Sequence, residues 1–327
     1  MIITRTPVRI PLGGGGTDLP SYYSRRGGAL ISAAIDKYIY VTVNRRFERS
    51  IRLSYSQTEI VEHPSEIQHP VARAALGLLD LTEHLEITTI ADIPSNTGLG
   101  TSSSFTVGLL NALHTYKRET LSTQALAEEA YHVEHDLLGE PVGKQDQYLA
   151  AFGYVTCLDI TPDGCVCVSH VRLSDDAIDQ LESNILLFYT GIRRSASEVL
   201  VDQNRAAEEG EEAVLQRLDT IKELGLDIRR AIEAEDLRQF GALLDQHWQT
   251  KKRLSGRISL PAIDRWYDIA RANGALGGKL IGAGGGGFLL VYCDNHKRAL
   301  RQAMAAEGLV EMRFRLDRDG SKVLVNL

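Results

Sequence analysis

The spacing of apolar residues along the chain separates helical from extended segments. Phe105, Leu109, Leu110, Leu113 and Tyr116 share one face at the 3.6-residue period, which predicts a helix over about 102–117 starting at Thr101 or Ser102. Leu126, Ala130, Val133 and Leu137 repeat the pattern and predict a second helix over about 123–138. Strands are predicted where β-formers cluster: within 29–43, which contains Tyr38-Ile39-Tyr40-Val41-Thr42-Val43, and at 85–91. Two more fit 153–160 and 165–171, joined by the turn Pro162-Asp163-Gly164. A polar, acidic stretch at 173–184 leads to the strand Ile185-Leu186-Leu187-Phe188-Tyr189. A long helical region then runs from about Ser195 to Thr250, with breaks expected at Gly210 and Gly225. The remainder reads helix 260–273, strands 277–282 and 287–293, helix 295–306 and a hairpin around Asp319-Gly320.

These segments do not alternate as the β-α units of a doubly wound sheet, so the fold class is α+β. A chain of 327 residues is long enough for two domains. The net charge of −7 excludes a general nucleic-acid binder, which needs a basic face, but leaves room for a nucleotide held by a few local cations and a metal. No apolar run approaches the ~18 residues that span a bilayer, and the N-terminus shows no signal-peptide pattern, so no membrane partner and a cytoplasmic location are expected. Cys157, Cys165, Cys167 and Cys293 lack metal-site spacing; Cys165 and Cys167 alternate with valines and are expected to be reduced packing residues.

Three glycine-rich segments carry the chemistry. The first to consider is Pro94-Ser95-Asn96-Thr97-Gly98-Leu99-Gly100-Thr101-Ser102-Ser103-Ser104, which runs straight into a helix. Its glycines let the backbone approach a ligand, and the free amides and hydroxyls of the first helical turn favour an anion, most simply a polyphosphate. The second, Thr6-Pro7-Val8-Arg9-Ile10-Pro11-Leu12-Gly13-Gly14-Gly15-Gly16-Thr17-Asp18, ends on a carboxylate. The third, Gly282-Ala283-Gly284-Gly285-Gly286-Gly287, satisfies the dinucleotide-binding pattern literally. It is followed by the strand signal Phe288-Leu289-Leu290-Val291-Tyr292, so no helix N-terminus faces a pyrophosphate there and the Rossmann reading fails on context. A Walker A sequence is absent.

In order and spacing these three segments resemble the signatures of the GHMP kinase superfamily, with Thr101 and Ser102 in place of the family's two serines and Ser103 in place of its alanine. The resemblance covers nearly the whole chain. It implies a ribosomal protein S5 domain 2-like N-terminal domain that binds ATP and Mg²⁺, here 1–175, and a ferredoxin-like C-terminal domain, here 176–327. It further implies a nucleotide cradle from Pro94, Gly98, Leu99, Gly100, Thr101, Ser102 and Ser103, shaped by Gly284 and Gly285 of the third loop. Ser102 and Glu134 would hold the Mg²⁺, Asp146 would orient the acceptor hydroxyl and take its proton, and Lys144 would add positive charge beside the transferring group. Arg9, Gly15, Gly16, Thr17 and Asp18 would face the acceptor.

The first loop, Gly143-Lys144-Gln145-Asp146-Gln147-Tyr148 and Tyr189-Thr190-Gly191-Ile192-Arg193-Arg194-Ser195-Ala196-Ser197 look closest to the D-glycero-D-manno-heptose 7-phosphate kinase branch, whose members phosphorylate the anomeric hydroxyl on the way to nucleotide-activated heptose for cell-surface glycans. Its substrate is a small sugar phosphate, and Arg193 and Arg194 would grip the distal phosphate. A fucokinase-like 1-kinase, a non-catalytic sugar and ATP sensor, and a homodimer remain open at this point.

Overall fold

The computed structural model describes residues 1–192, 212–255, 258–282 and 284–327, arranged around two antiparallel-rich sheets. The larger sheet contains β1 (Ile2–Gly13), β2 (Gly28–Arg45), β3 (Ile51–Ser54), β4 (Thr58–Val61), β5 (Leu85–Ala91), β6 (Val155–Ile160), β7 (Val166–His170) and β12 (Lys322–Asn326). Its main path runs β12-β1-β2-β5-β3-β4. The 18-residue β2 is long enough to serve two partners on its far side: Gly28–Ala33 pair with β6 and Ile39–Arg45 with β5.

The smaller sheet contains β8 (Ile185–Tyr189), β9 (Gly277–Leu280), β10 (Phe288–Tyr292) and β11 (Val310–Met312) in the order β11-β8-β10-β9, all antiparallel. Renumbered along the chain this is 4-1-3-2, with helices between its first and second and its third and fourth strands. That is the ferredoxin-like connection expected for the second half. The helices are α1 (Pro20–Arg26), α2 (Pro70–Leu78), α3 (Thr101–Tyr116), α4 (Thr123–Tyr131), α5 (Gln145–Phe152), α6 (Asp175–Asn184), α7 (Glu212–Glu233), α8 (Leu237–Lys251), α9 (Pro261–Ala272) and α10 (Lys297–Ala306).

α3 is the helix on which the site depends. It is buried around most of its circumference, not on one face alone. Gly108 lets it sit directly on β1: the Thr4 hydroxyl donates to the Gly108 carbonyl at 2.8 Å, and a Cβ at Gly108 would lie 2.7 Å from the Thr6 hydroxyl oxygen. The Ser104 hydroxyl donates to the Pro7 carbonyl at 2.8 Å. These contacts hold the first half of α3 along the first half of β1.

Several sequence expectations change. The helix over 123–138 leaves the α form after Tyr131 and continues as a π-helical turn, His132–Leu137, the kind of bulge that recurs at functional sites. The acidic stretch at 173–184 is helix α6, started by the Ser174 hydroxyl accepting from the Ala177 amide. Cys157 and Cys293 are buried, but Cys165, just before β7, and Cys167, on that edge strand, are exposed. No hairpin forms around Asp319-Gly320: β11 pairs with β8 in one sheet and β12 with β1 in the other. The chain's end therefore returns to the first sheet, across a boundary drawn at 175/176.

Gly225 does not break the helical region. α7 runs through it, and the break comes at Ala234-Glu235-Asp236, where Glu235 has φ +57°. Gly225 instead allows α7 to rest on the first glycine loop, where an added Cβ would lie 2.8 Å from the Gly14 nitrogen and 2.9 Å from its Cα. Gly210 lies outside the described residues, as do Arg193 and Arg194.

Replacing an ordinary helical glycine by alanine stabilises a helix by up to ~1 kcal/mol. At Gly225 the opposite sign is expected: Gly225→Ala should destabilise by about 1–3 kcal/mol through overpacking against Gly14, read from urea unfolding midpoints at constant slope. A gain in stability would mean that α7 does not rest on this loop.

Candidate active site

A cleft of about 620 Å³ opens between the N-terminal end of α3, the first glycine loop, the start of α5 and the third glycine loop. Arg9, Gly15, Gly16, Asp18, Gly98, Gly100, Thr101, Ser102, Ser103, Glu134 and Asp146 all line it, so residues scattered over the first half of the sequence meet at one place.

The anion-facing end is built by backbone conformation. Gly98 and Gly100 have φ +82° and +77°, values that side-chain-bearing residues rarely adopt. Gly100 is the N-cap residue of α3 and provides no side-chain acceptor, so the cap is left open for a ligand to the first-turn amides. Thr101 is half-buried and Ser102 exposed at the mouth. The third glycine loop packs behind this one: a Cβ at Gly98 would lie 2.6 Å from the Ile281 carbonyl oxygen, and one at Gly287 would lie 2.2 Å from that of Thr97.

Glu134 projects from the π-helical turn and is 3% exposed. Its carboxylate accepts from the Ser103 hydroxyl at 2.7 Å, from the Thr106 hydroxyl at 2.6 Å and from the Gln147 amide. All of these donors are neutral, and no cation pairs with Glu134 among the described residues. Burial raises its pKa against the pull of these hydrogen bonds. A buried carboxylate beside an open helix N-terminus, lacking a counter-charge, fits a divalent cation that brings its own charge and keeps most of its water.

Asp146, in the first turn of α5, is 27% exposed and meets Arg9 side-on. The Arg9 Nε donates to one carboxylate oxygen at 2.8 Å and Nη2 to the other at 2.7 Å, while Nη1 donates to the Gly98 carbonyl. Arg9 thus ties the carboxylate to the phosphate-facing loop in a two-pronged pair.

Asp18 is buried, with its oxygens accepting from the amides of Gly16 at 3.0 Å and Gln145 at 3.1 Å. It therefore caps α5 as well as lining the cleft. Burial raises its pKa, opposed by those amide hydrogen bonds. Gly143 has to be glycine for this contact, since a Cβ there would lie 2.1 Å from an Asp18 oxygen.

Other predicted residues take different positions. Lys144 turns away from the cleft: its ammonium pairs with Glu128 at 2.8 and 2.9 Å and lies 4.8 Å from the centre of the Tyr131 ring. The cation at Asp146 is Arg9, which the sequence reading placed on the acceptor. Thr17 is fully buried and its hydroxyl donates to the carbonyls of Gly14 and Ala29, so it shapes the loop from behind. Leu99 is core, and the exposed Pro94 accepts from Thr97 through its carbonyl; neither lines the cleft. Gly284 and Gly285 pack on Ile258, and the third loop reaches the cleft through Gly282.

Lys251 and His69 line the cleft without having been predicted. Lys251 ends α8, is buried, and donates to the Gly282 carbonyl at 2.8 Å; burial together with nearby Arg9 lowers its pKa to about 8. His69 caps α2 and burial lowers its pKa, so its ring is neutral at pH 7. A lysine at a helix end and a histidine before a proline give no signal in sequence; only the tertiary fold brings them here.

The sequence matches the family profiles described as GHMP kinases N terminal domain over residues 68–154 and GHMP kinases C terminal over 228–308. It is 29% identical to D-glycero-alpha-D-manno-heptose 7-phosphate kinase of Campylobacter jejuni, over 98% of each chain. It is 28% identical to L-fucokinase/L-fucose-1-P guanylyltransferase of Bacteroides fragilis, over 91% of this chain and 35% of that one. The solved structure of a D-glycero-D-manno-heptose 1-phosphate kinase from Bacteroides thetaiotaomicron superposes with a TM-score of 0.83 over 100% of both chains, at 24% identity, and supports the fold. On these matches the chain belongs to the GHMP kinase family and is an ATP-dependent kinase of an alcohol group.

Proposed function

We propose that this kinase transfers the γ-phosphoryl group of ATP to the anomeric C1 hydroxyl of D-glycero-D-manno-heptose 7-phosphate, giving the 1,7-bisphosphate for nucleotide-heptose synthesis. Full-length similarity to the Campylobacter jejuni heptose 7-phosphate kinase supports the acceptor, and the Arg9–Asp146 pair beside the open end of α3 supports the chemistry.

The donor phosphates sit on the amides and hydroxyls of Gly98–Ser103, where the helix N-terminus favours their charge. Ser102 and Glu134 would hold a Mg²⁺ that neutralises charge on the donor phosphates. Asp18, held by the Gly16 amide, and the amide of Gly15 orient the sugar. Asp146 accepts the proton of the C1 hydroxyl as that oxygen bonds to the γ-phosphorus and the bond to the ADP oxygen breaks. Arg9 holds the Asp146 oxygens in place and offsets its negative charge near an incoming polyphosphate. Without that cation a carboxylate and a phosphate would repel each other at the point where they must meet.

The similarity to the fucokinase enzyme favours one other reading, a 1-kinase for an unphosphorylated sugar. The two solved and curated heptose kinases also differ, by name, in where the acceptor already carries phosphate. Incubation with Mg-ATP and a panel of free, 1-phosphorylated and 7-phosphorylated sugars, followed by ³¹P NMR, separates these readings. A new anomeric phosphate on heptose 7-phosphate alone supports the proposal; activity confined to a free sugar, or ATP binding without turnover on any sugar, contradicts it.

Asp146→Asn is expected to lower kcat by about 10²–10⁴-fold while nucleotide affinity and cooperative unfolding persist. Turnover within a few-fold of wild type would remove Asp146 from proton transfer. For Glu134 the raised folded-state pKa means that ionisation opposes folding: its stabilising contribution is present at low pH and is lost as pH rises through the folded pKa. The metal-free Tm of Glu134→Gln should therefore shift in the variant's favour, relative to wild type, as pH rises. The same variant should lose the Tm increase that Mg-ATP gives the wild type. An undiminished Mg-ATP shift would take Glu134 out of the metal site.

A further inference from the structure

An ammonium removed from water needs an anion, or it loses its proton. Behind the third glycine loop, three basic side chains lie together, none of them in an ion pair among the described residues. Lys251 opens into the cleft, and among the described residues its ammonium meets only a neutral carbonyl, that of Gly282. Lys279 on β9 is fully buried and its Nζ has no hydrogen-bond partner. His247, one turn before Lys251 on α8, is fully buried with neither ring nitrogen bonded. The three repel one another's charged forms: Lys251 and Lys279 act on His247, and Lys251 and Arg9 act on Lys279.

Asp18 acts on Lys251 through space, but no carboxylate hydrogen-bonds that ammonium among the described residues. Asp146 is held by Arg9, and Asp18 accepts from two backbone amides. Packing alone does not account for this arrangement, since leucine or methionine would fill the same space without an unsatisfied ammonium. Lys251 lines the same cleft as Asp18, the residue that the proposed mechanism sets against the sugar, and lies within reach of its charge.

We propose that Lys251, with Lys279 behind it, forms the subsite for a phosphate monoester carried by the acceptor. This deepens the heptose-phosphate reading and rests on it. A phosphate entering the cleft supplies the missing anion: it accepts from the Lys251 ammonium and keeps that group protonated. The buried Lys279 behind it takes up a proton only when that anion is present, since burial and the charges of Lys251 and Arg9 otherwise push its pKa well down. A sugar lacking the phosphate leaves the cluster uncompensated, so the same residues disfavour unphosphorylated sugars.

The test uses Lys251→Met, which keeps the apolar stem and removes the charge, with Lys251→Arg as the charge-preserving control. Each is assayed against heptose 7-phosphate and free heptose, with the KM for ATP and the Tm read in parallel. The Met variant is expected to raise the KM for heptose 7-phosphate at least tenfold and to reduce the preference for the phosphorylated sugar by a similar factor. The KM for ATP should move less than twofold, and the Arg variant should recover most of the preference. An unchanged preference in a folded Lys251→Met protein overturns this inference and leaves the kinase reading standing. Equal loss of kcat on both sugars also overturns it, because it would place Lys251 on the transferred group. Wild-type indifference to the sugar's phosphate overturns the inference and the heptose 7-phosphate reading together. If the Met variant does not fold, the same KM and preference readings on Lys279→Met decide the question.

Discussion

The Arg9–Asp146 pair is the contact around which the cleft is organised. Arg9 comes from β1 and Asp146 from the first turn of α5, 137 residues later, and the same guanidinium also binds the Gly98 carbonyl of the phosphate-facing loop. One side chain therefore registers the strand, the catalytic helix and the phosphate loop against one another. The Arg9 amide adds to this by donating to the Leu99 carbonyl at 3.0 Å. A planar cation with several donors can satisfy these acceptors together, which a lysine ammonium could not do with the same geometry.

Charge is distributed unevenly across the cleft, and this asymmetry matches the reaction. Among the described residues the buried carboxylate of Glu134 has only neutral donors and the buried ammonium of Lys251 only a neutral acceptor. A buried charge of either sign is costly and is relieved by a ligand of the opposite sign. Binding energy from the metal and the substrate would then offset a penalty built into the apo fold, a local conflict of the kind that marks functional sites.

The sequence carried the parts of the site that are local. Gly98, Gly100 and the hydroxyls after them announce an open helix N-terminus because backbone conformation and capping depend on neighbours in the chain. Asp18, Glu134 and Asp146 came from motif resemblance, and the fold brings all three to the cleft. Lys144 was misplaced because proximity in sequence to Asp146 does not fix direction: at the start of a helix, residues two apart point to different sides, and Glu128 holds this one. Gly225 was misread as a break because a glycine inside a helix signals either weakness or close packing, and only the position of Gly14 decides which. Lys251, Lys279 and His247 could not be found beforehand, since burial without a partner is a property of tertiary structure alone.

If Arg9 acts by holding Asp146, the two residues work as one unit and their deletions should not multiply. A double-mutant cycle on kcat with Arg9→Met, Asp146→Asn and the combined variant measures this directly. The combined variant is expected to be about as slow as the slower single variant. Multiplicative losses would show that Arg9 and Asp146 act independently and would contradict the account of the site given by their pairing.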